Sequence, residues 1–212
     1  MKKMLLLFYI IFLWINKLNA QQNTEIIPQL DKANLSDWTF DGNGGWYIIN
    51  GELILSKAGV PSGPIRRPAA LAVFNQKEFE NVTVEVDIKS TAPLETIRRD
   101  LDIILDYQSP GKFYYIHLAG ITDSNHNGIF IVNNADRKRI DSADSIPQLK
   151  DTLWHHVKVV RNNEVGSIEV YVDNSDVPAL KVKDKTINSG KIGLGSFDDT
   201  GIFKNIKIKG RF

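Results

Sequence analysis

The sequence of 212 residues contains no cysteine. This absence excludes a disulfide framework, the lipid-bearing cysteine of a lipoprotein, and any metal site built on thiolate ligands. No histidine spacing typical of a zinc site is present either, and no metal ligand is assigned to the functional site. The fold must therefore be held together by the packing of its side chains.

Long apolar runs are also scarce. The one extended run, Met4 to Ile15, covers about twelve residues, whereas a membrane-spanning helix needs roughly 20. It follows Lys2 and Lys3 and precedes the small residue Ala20, which is the three-part pattern of a secretory signal peptide. We expect cleavage after Ala20, a single domain over residues 21–212, and a secreted or periplasmic protein without a membrane anchor.

An excess of charge of either sign is missing as well. The formal net charge is +1, and setting aside the three lysines of the first twenty residues leaves 23 basic against 25 acidic residues, or −2. Such a balance carries no basic footprint for nucleic acid or for an anionic membrane surface. Neither kind of partner is expected.

What the chain does contain is a recurrent two-residue period. Valine or isoleucine occupies every second position from Val82 to Ile88, with polar residues between them. Turn residues separate similar runs, and ten or more short strands predict an all-β fold, a two-sheet antiparallel jelly-roll sandwich. The proline- and glycine-rich segment Gly59–Pro68 is predicted to cross one edge of it. The similar runs are Gly51–Lys57, Ala69–Phe74, Asp100–Tyr107, Lys112–Ala119, His126–Asn133, Leu153–Arg161, Ser167–Asp173, Lys191–Ser196 and Ile202–Lys209.

Motifs at strand edges and turns follow one another along nearly the whole of residues 21–212. They are Trp46–Leu53, Trp154–Val160, Tyr171–Asp173, Gly190–Gly193 and Phe203–Ile208. In this order they resemble the concanavalin A-like, laminin-G-like jelly roll, and within it the bacterial family-16-like or keto-disaccharide hydrolase-like branch. That fold hosts lectins, hydrolases and lyases, so the resemblance implies the fold and leaves the chemistry open.

A second resemblance is local. Tyr114-Tyr115-Ile-His117-Leu is followed by His126-Asn127-Gly. Jelly-roll polysaccharide lyases that act on alginate and ulvan carry a similar aromatic and histidine pattern, and the small secreted oligosaccharide dehydratases of ulvan degradation are similar too. This resemblance implies an acidic oligo- or polysaccharide as the partner.

The run Lys112–Ala119 also predicts where these side chains point. Alternation places Tyr115 and His117 on one face and a more apolar set, which should meet the core, on the other. Tyr115 and His117 are therefore expected on the outer, concave face. If His126 begins the antiparallel partner strand, it lies close to His117, so that two histidines and a tyrosine share one wall.

Such a wall suits β-elimination on a uronic acid. A neutral base removes the proton next to the carboxylate, an acid protonates the departing oxygen, and a cation neutralises the carboxylate. Histidine titrates near neutrality and tyrosine can act as the acid, so His117 and His126 are the base candidates and Tyr115 the acid. We therefore expect a carbon–oxygen lyase, either a dehydratase or a polysaccharide lyase.

Arginine binds a carboxylate or sulfate with a two-pronged fork. The chain offers Arg66-Arg67 in the crossing segment and Arg98-Arg99 just before a strand. The residues predicted to bind substrate are Arg66, Arg67, Arg99, Asn127 and Asp102.

Two other functions of the fold stay open. Asp100, Asp102 and Asp106 invite comparison with the acidic strand of retaining glycosidases, but every acid here is aspartate and the spacing differs. A polar outer face explains these aspartates better, although a hydrolase of the keto-disaccharide type is retained. A non-catalytic binding domain would instead stack Tyr107, Phe113 and Tyr115 on sugar rings.

No cofactor is expected beyond a structural calcium ion. The turn that contains Asp198, Asp199 and Gly201 offers hard oxygen ligands of the kind calcium prefers. Two adjacent aspartates in a turn are more often only a turn.

Overall fold

The computed structural model describes residues 23–60, 63–142 and 147–212. The expected signal peptide, residues 1–20, lies outside them, so its cleavage and the export of the chain stay predictions. Within the described residues the chain forms fifteen β-strands and one 3-10 helix, Lys32–Asp37, and no helix there is long and apolar enough to cross a membrane. The strands are β1 Thr24–Ile26, β2 Trp38–Asp41, β3 Trp46–Ile49, β4 Glu52–Leu55, β5 Ala70–Phe74, β6 Asn81–Ser90, β7 Asp100–Ser109, β8 Lys112–Ala119, β9 Gly128–Asn133, β10 Lys138–Arg139, β11 His155–Asn162, β12 Ser167–Val172, β13 Leu180–Lys183, β14 Lys191–Ser196 and β15 Gly201–Arg211.

These strands pair into two antiparallel sheets. One sheet has eight strands in the order β13-β12-β11-β6-β15-β4-β3, with β1 paired to β15. The other has seven strands in the order β10-β9-β8-β7-β14-β5-β2. The predicted all-β jelly-roll sandwich is confirmed.

The two-residue period explains how the sheets pack. Val82, Val84, Val86 and Ile88 of β6 are all buried, and the polar residues between them are only partly buried. In the facing sheet, the buried set of β8 is the one predicted from alternation: Tyr114, Ile116 and Leu118. One face of each strand therefore closes the core between the sheets.

The outer face of the seven-stranded sheet differs from the prediction, because it is not an open wet wall. Phe113 and Tyr115 of β8 pack there with Phe130 of β9 in a second apolar cluster, and all three are buried. Ile65 packs on this cluster, so the segment Gly63–Pro68 lies over the sheet face rather than only crossing an edge. The cover leaves one end of the face accessible.

Strand β7 departs from regular alternation at its far end. Asp106 has a left-handed backbone, with φ of 50°, and the pairing of β7 with β8 shifts register between Leu105 and Ser109. The bulge turns the Asp106 side chain to Arg161 of β11, whose Nε donates to its Oδ2 at 2.9 Å. Burial raises the pKa of Asp106 to about 6, against the opposing effect of Arg161. Asp106 therefore joins the two sheets and is not part of a polar outer face.

Candidate active site

A polar cleft of about 220 Å³ opens at the uncovered end of this outer face. It lies where β7, β8 and the β8–β9 loop meet the turn after β14. Its lining combines two histidines, three arginines and three aspartates with one asparagine and one phenylalanine: His117, His126, Arg66, Arg98, Arg137, Asp100, Asp123, Asp198, Asn125 and Phe197.

His117 forms the floor of the cleft. It lies opposite Asp102 in the β7–β8 register, and a hydrogen bond of 2.7 Å joins its Nδ1 to Oδ1 of Asp102. The side chain is 1% exposed, and its Nε2 is buried without a hydrogen-bond partner. Burial lowers the pKa of His117, against the opposing effect of Asp100, which favours the neutral imidazole.

His126 lies above the floor, at the end of the β8–β9 loop. Its ring centroid is 5.8 Å from that of His117, so the two predicted histidines do come together. Its Nδ1 is hydrogen-bonded to Oδ1 of Asp123 at 2.8 Å, and the side chain is 16% exposed. No described residue hydrogen-bonds to Nε2 of His126. Burial lowers the pKa of His126 although Asp123 opposes the shift, which favours a neutral imidazole at the cleft.

Tyr115 is not placed as the sequence predicted. Its ring is buried against Phe130, with centroids 5.2 Å apart, and its hydroxyl accepts a hydrogen bond of 3.0 Å from Nη1 of Arg137. Burial raises the pKa of Tyr115 well above its usual range. The tyrosine does not line the cleft, so it supports an arginine and is not in position to protonate a substrate.

Sequence reasoning missed four lining residues, Asp123, Asn125, Phe197 and Arg137, and Arg137 is the one that adds positive charge to the cleft. Its guanidinium carbon lies 4.1 Å from the ring centroid of Phe197 and 5.1 Å from that of Phe130, and its backbone N–H donates to the carbonyl of Arg66. The residue sits in a polar turn after β9 that carries no periodic pattern. The hydrogen bond to Arg66 ties it to the Gly63–Pro68 segment that lies over the sheet.

Each arginine pair contributes one member to the cleft. Arg66 and Arg98 line it, whereas Arg67 and Arg99 are buried elsewhere. Arg67 pairs with Asp41 at 2.7 Å, and Arg99 donates through Nε to the carbonyl of Leu149, also at 2.7 Å. Consecutive residues of an extended segment point to opposite sides. Arg67 and Arg99, which were predicted to bind substrate, therefore do not line the cleft, and Arg98 lines it instead of Arg99.

Neither Asn127 nor Asp102, both predicted to bind substrate, lines the cleft. Each instead contacts a residue or loop that does. Asp102 is buried behind His117 and does not line the cleft. Asn127 is buried beneath the β8–β9 loop, where its Oδ1 accepts from the backbone N–H of Ala119 and its Nδ2 donates to Thr122 at 2.9 Å and to the carbonyl of Pro147. Asn127 thus holds the loop that carries His126.

Replacing Asn127 with alanine tests this bracing. Asn127 and Asn134 both have left-handed backbones, with φ of 57° and 54°, but Asn134 is exposed. We expect Asn127→Ala to lower the free energy of unfolding by about 1–3 kcal/mol more than Asn134→Ala, because it alone leaves buried backbone groups unpaired. Urea unfolding measures the difference, and equal losses would show that backbone conformation accounts for both effects.

Acidic side chains gather at the same end of the sheet. Asp198 and Asp199, expected to hold calcium, lie beside Asp100, and one oxygen from each is within 4.8 Å of the others. Asp100, Asp102 and His117 form a second group with ligand atoms at the same spacing. Gly201 lies in β15, where it pairs with Leu55 of β4. The structure thus contains side chains that could hold a metal ion.

The sequence matches one family model over almost all of the described chain. The family is described as 3-keto-alpha-glucoside-1,2-lyase-like domain, and the match covers residues 25–209. A search of the curated proteins found no match. The resemblance predicted from the strand-edge motifs is confirmed.

Solved structures show the same fold. The carbohydrate-binding module CBM66 from Bacillus subtilis is 17% identical with a TM-score of 0.62, covering 81% of this chain and 94% of that chain. A candidate glycosyl hydrolase from Parabacteroides distasonis is 14% identical with a TM-score of 0.51, covering 84% and 89%. Winged bean acidic lectin, solved with methyl-alpha-D-galactose, is 10% identical with a TM-score of 0.56, covering 90% and 99%.

Proposed function

The chain belongs to the family of 3-keto-alpha-glucoside-1,2-lyase-like domains, and from this premise we propose that it is a carbohydrate carbon–oxygen lyase. The reaction is β-elimination from a saccharide in which a carbonyl group acidifies a neighbouring C–H bond. The family supports a carbohydrate-active domain, and the cleft supports the choice of elimination.

The observation that carries the proposal is the His126–Asp123 pair at the mouth of the cleft. A carboxylate bound at Nδ1 fixes the tautomer in which Nδ1 carries the proton and Nε2 has a free lone pair. His126 is partly exposed, whereas His117, the other predicted base, is 1% exposed. A substrate in the cleft therefore reaches Nε2 of His126 first.

In the proposed reaction, Nε2 of His126 removes the proton from the carbon next to the carbonyl group. The C–H electrons form a C=C bond, and the C–O bond on the adjacent carbon breaks. The departing oxygen then receives the proton from the imidazolium, which restores neutral His126. Asp123 stabilises the imidazolium between the two transfers. One residue thus acts as base and then as acid, and buried Tyr115 is not needed.

Two classes of saccharide carry such a carbonyl group. In a 3-keto-glucoside the ketone acidifies the proton at C2, and the oxygen at C1 departs. In a uronate the carboxylate acidifies the proton at C5, and the oxygen at C4 departs. The family description supports the first class, and the arginines of the cleft support the second. Because three aspartates also line the cleft, the formal charges of its arginines are balanced and a neutral substrate is equally acceptable.

The test is to incubate the protein with a 3-keto-glucoside and, separately, with ulvan and alginate oligosaccharides. Mass spectrometry and ultraviolet absorbance should reveal an unsaturated sugar in at least one arm, and the arm that reacts identifies the activating carbonyl. Release of a saturated reducing sugar would replace elimination with hydrolysis. Saturable binding without turnover of any substrate would overturn the lyase proposal.

Arg98 separates the two substrate classes. It is exposed, lines the cleft, and has no hydrogen bond to another described residue. If the substrate is a uronate, Arg98→Gln should raise KM roughly 3–10-fold through loss of one charge-assisted hydrogen bond at an exposed site. For a neutral keto-glucoside KM should stay unchanged, and initial rates over a range of substrate concentrations measure both.

A non-catalytic binding domain is the second candidate, because CBM66 is a carbohydrate-binding module and shares the fold. Of the three aromatic residues predicted to stack on sugar rings, Phe113 and Tyr115 are fully buried and Tyr107 is partly buried. Half-buried Phe197 is the aromatic side chain that lines the cleft. Under this alternative, glycan binding would survive His117→Ala without any turnover.

A further inference from the structure

Two buried carboxylates lie at the floor of the cleft, and the guanidinium of Arg137 acts on one of them, Asp102, from beyond ion-pair distance. Asp100 and Asp102 are 1% and 0% exposed. Among the described residues neither forms an ion pair with arginine or lysine, whereas buried Asp106 has Arg161 at 2.9 Å. The basic side chain nearest to both carboxylates is His117, whose Nδ1 lies 2.7 Å from Oδ1 of Asp102 and 3.7 Å from Oδ2 of Asp100. Uncompensated buried carboxylates are costly, so a cation is needed or they must be protonated.

Two polar atoms on this floor also lack partners. Oδ2 of Asp102 and Nε2 of His117 are both buried without a hydrogen bond. Asp100 is better satisfied, because its Oδ2 accepts from the backbone N–H of Phe197 at 2.7 Å. Native structures rarely leave such atoms unpaired unless an ion or a water molecule completes them.

The spacing of the donor atoms fits one shared ion. Asp100, Asp102 and His117 offer ligand atoms that lie within 4.8 Å of one another. Ligands on opposite sides of a bound cation are roughly 4–5 Å apart. Asp100 also belongs to the group with Asp198 and Asp199, so the two groups share this residue.

We propose that Asp100, Asp102 and His117 bind a divalent transition-metal cation, of the Mn²⁺ or Zn²⁺ class, on the floor of the cleft. Imidazole nitrogen is a ligand that transition metals accept and calcium disfavours. The presence of His117 therefore distinguishes this site from the all-oxygen calcium site expected at Asp198 and Asp199. Asp100 and His117 line the cleft, so the ion meets a bound substrate. In the proposed elimination, on which this role rests, the ion polarises the carbonyl group while His126 removes the proton.

Metal binding is measured without substrate. The purified full-length protein is treated with EDTA, dialysed, and titrated with MnCl₂ and ZnCl₂ by calorimetry, and metal bound to the untreated protein is measured by mass spectrometry. We expect one ion per chain, and a dissociation constant raised roughly 10–100-fold or more by Asp102→Asn. Asp87→Asn is the matched control, because Asp87 also accepts from a histidine at 2.7 Å but lies on the other sheet. Its affinity should equal that of the wild type.

The outcomes are distinct. Absence of Mn²⁺ and Zn²⁺ binding to the wild-type protein overturns the site, whether or not Asp102→Asn folds. The site is also overturned if the protein binds only Ca²⁺, and if that binding is lost in Asp198→Asn but kept in His117→Gln. That result would place the ion in the turn after β14. Full elimination activity in EDTA rejects the catalytic role and leaves the lyase intact. Metal binding by a protein that eliminates neither substrate class rejects the lyase and leaves the metal site.

Discussion

Replacing His126 with glutamine is expected to lower kcat for the elimination by ~10²–10⁴-fold, the usual contribution of a positioned general base. Glutamine retains a group that can hydrogen-bond to Asp123 but has no nitrogen that takes up a proton near neutral pH. The loss should therefore fall on kcat, with the KM of the reacting saccharide changed little. Initial rates of formation of the unsaturated product measure both constants.

His156→Gln is the matched control for this variant. His156 is likewise bound through Nδ1 to an aspartate, Asp87, at 2.7 Å, but it lies in β11 of the eight-stranded sheet, away from the cleft. Its kcat should stay within about threefold of the wild type, because removing a partly exposed pair away from the cleft changes little besides local stability. Equal losses in both variants, or a His126→Gln enzyme that keeps its rate, would remove His126 from the chemistry.

The sequence was sufficient to predict the strands and the faces of the central ones. A two-residue period is a direct consequence of pleated backbone, so the alternation alone assigns residues such as Val84 and Ile116 to the core. The pattern was less informative at the ends. The predicted strand from His126 begins instead at Gly128, because Asn127 has a left-handed backbone. Short strands such as β10 and β13 hold too few residues to display a period.

The candidate site was predictable only where it sits on regular strands. Pairing of β7 with β8 puts Asp102 opposite His117, and the short β8–β9 loop returns His126 to the same place. Whether Tyr115 is buried or accessible depends on the Gly63–Pro68 segment. No periodicity in the sequence predicts that this segment lies over the sheet face. Arg137 reaches the cleft through the same cover.

The sequence also did not predict which of two adjacent arginines lines the cleft, and the reason is related. Which of Arg98 and Arg99 faces the cleft is set by the phase of the chain entering β7. This segment packs closely on Gly120, where an added Cβ would lie 2.5 Å from the carbonyl oxygen of Ile97. Local sequence does not report such a contact.

Replacing Arg161 with methionine is expected to lower the free energy of unfolding by about 3–5 kcal/mol, as for other buried ion pairs that lose one partner. Arg161 is 1% exposed, and besides Asp106 it donates to the carbonyls of Gly166, Asp184 and Ile187 at 2.6–3.0 Å. The variant leaves the carboxylate of Asp106 and these carbonyls without their donor. Urea unfolding followed by tryptophan fluorescence measures the loss, which is a large part of the stability of a typical domain.

Arg211→Met provides the surface comparison. Arg211 also bridges acidic groups, with Nη2 at 2.7 Å from Glu164 and Nε at 3.4 Å from Glu80, but all three side chains are accessible to solvent. Its loss should cost only about 0–1 kcal/mol. Similar costs for the two arginines would mean that the buried pair is not what joins the sheets.

A double variant decides whether the Arg161 effect comes from an unpaired charge or from lost packing. Asp106→Asn with Arg161→Met removes both charges, and asparagine tolerates the left-handed backbone of this position, which leucine would strain. We expect it to recover more than half of the stability lost in Arg161→Met, and no recovery would assign the loss to the carbonyls that Arg161 binds. Asp106 is at the opposite end of β7 from Asp100 and Asp102. Below their unfolding temperatures, Arg161→Met and the double variant should therefore both keep the kcat of the wild type. The Asp106–Arg161 pair stabilises the contact between the sheets, whereas the proposed chemistry takes place at the other end of β7.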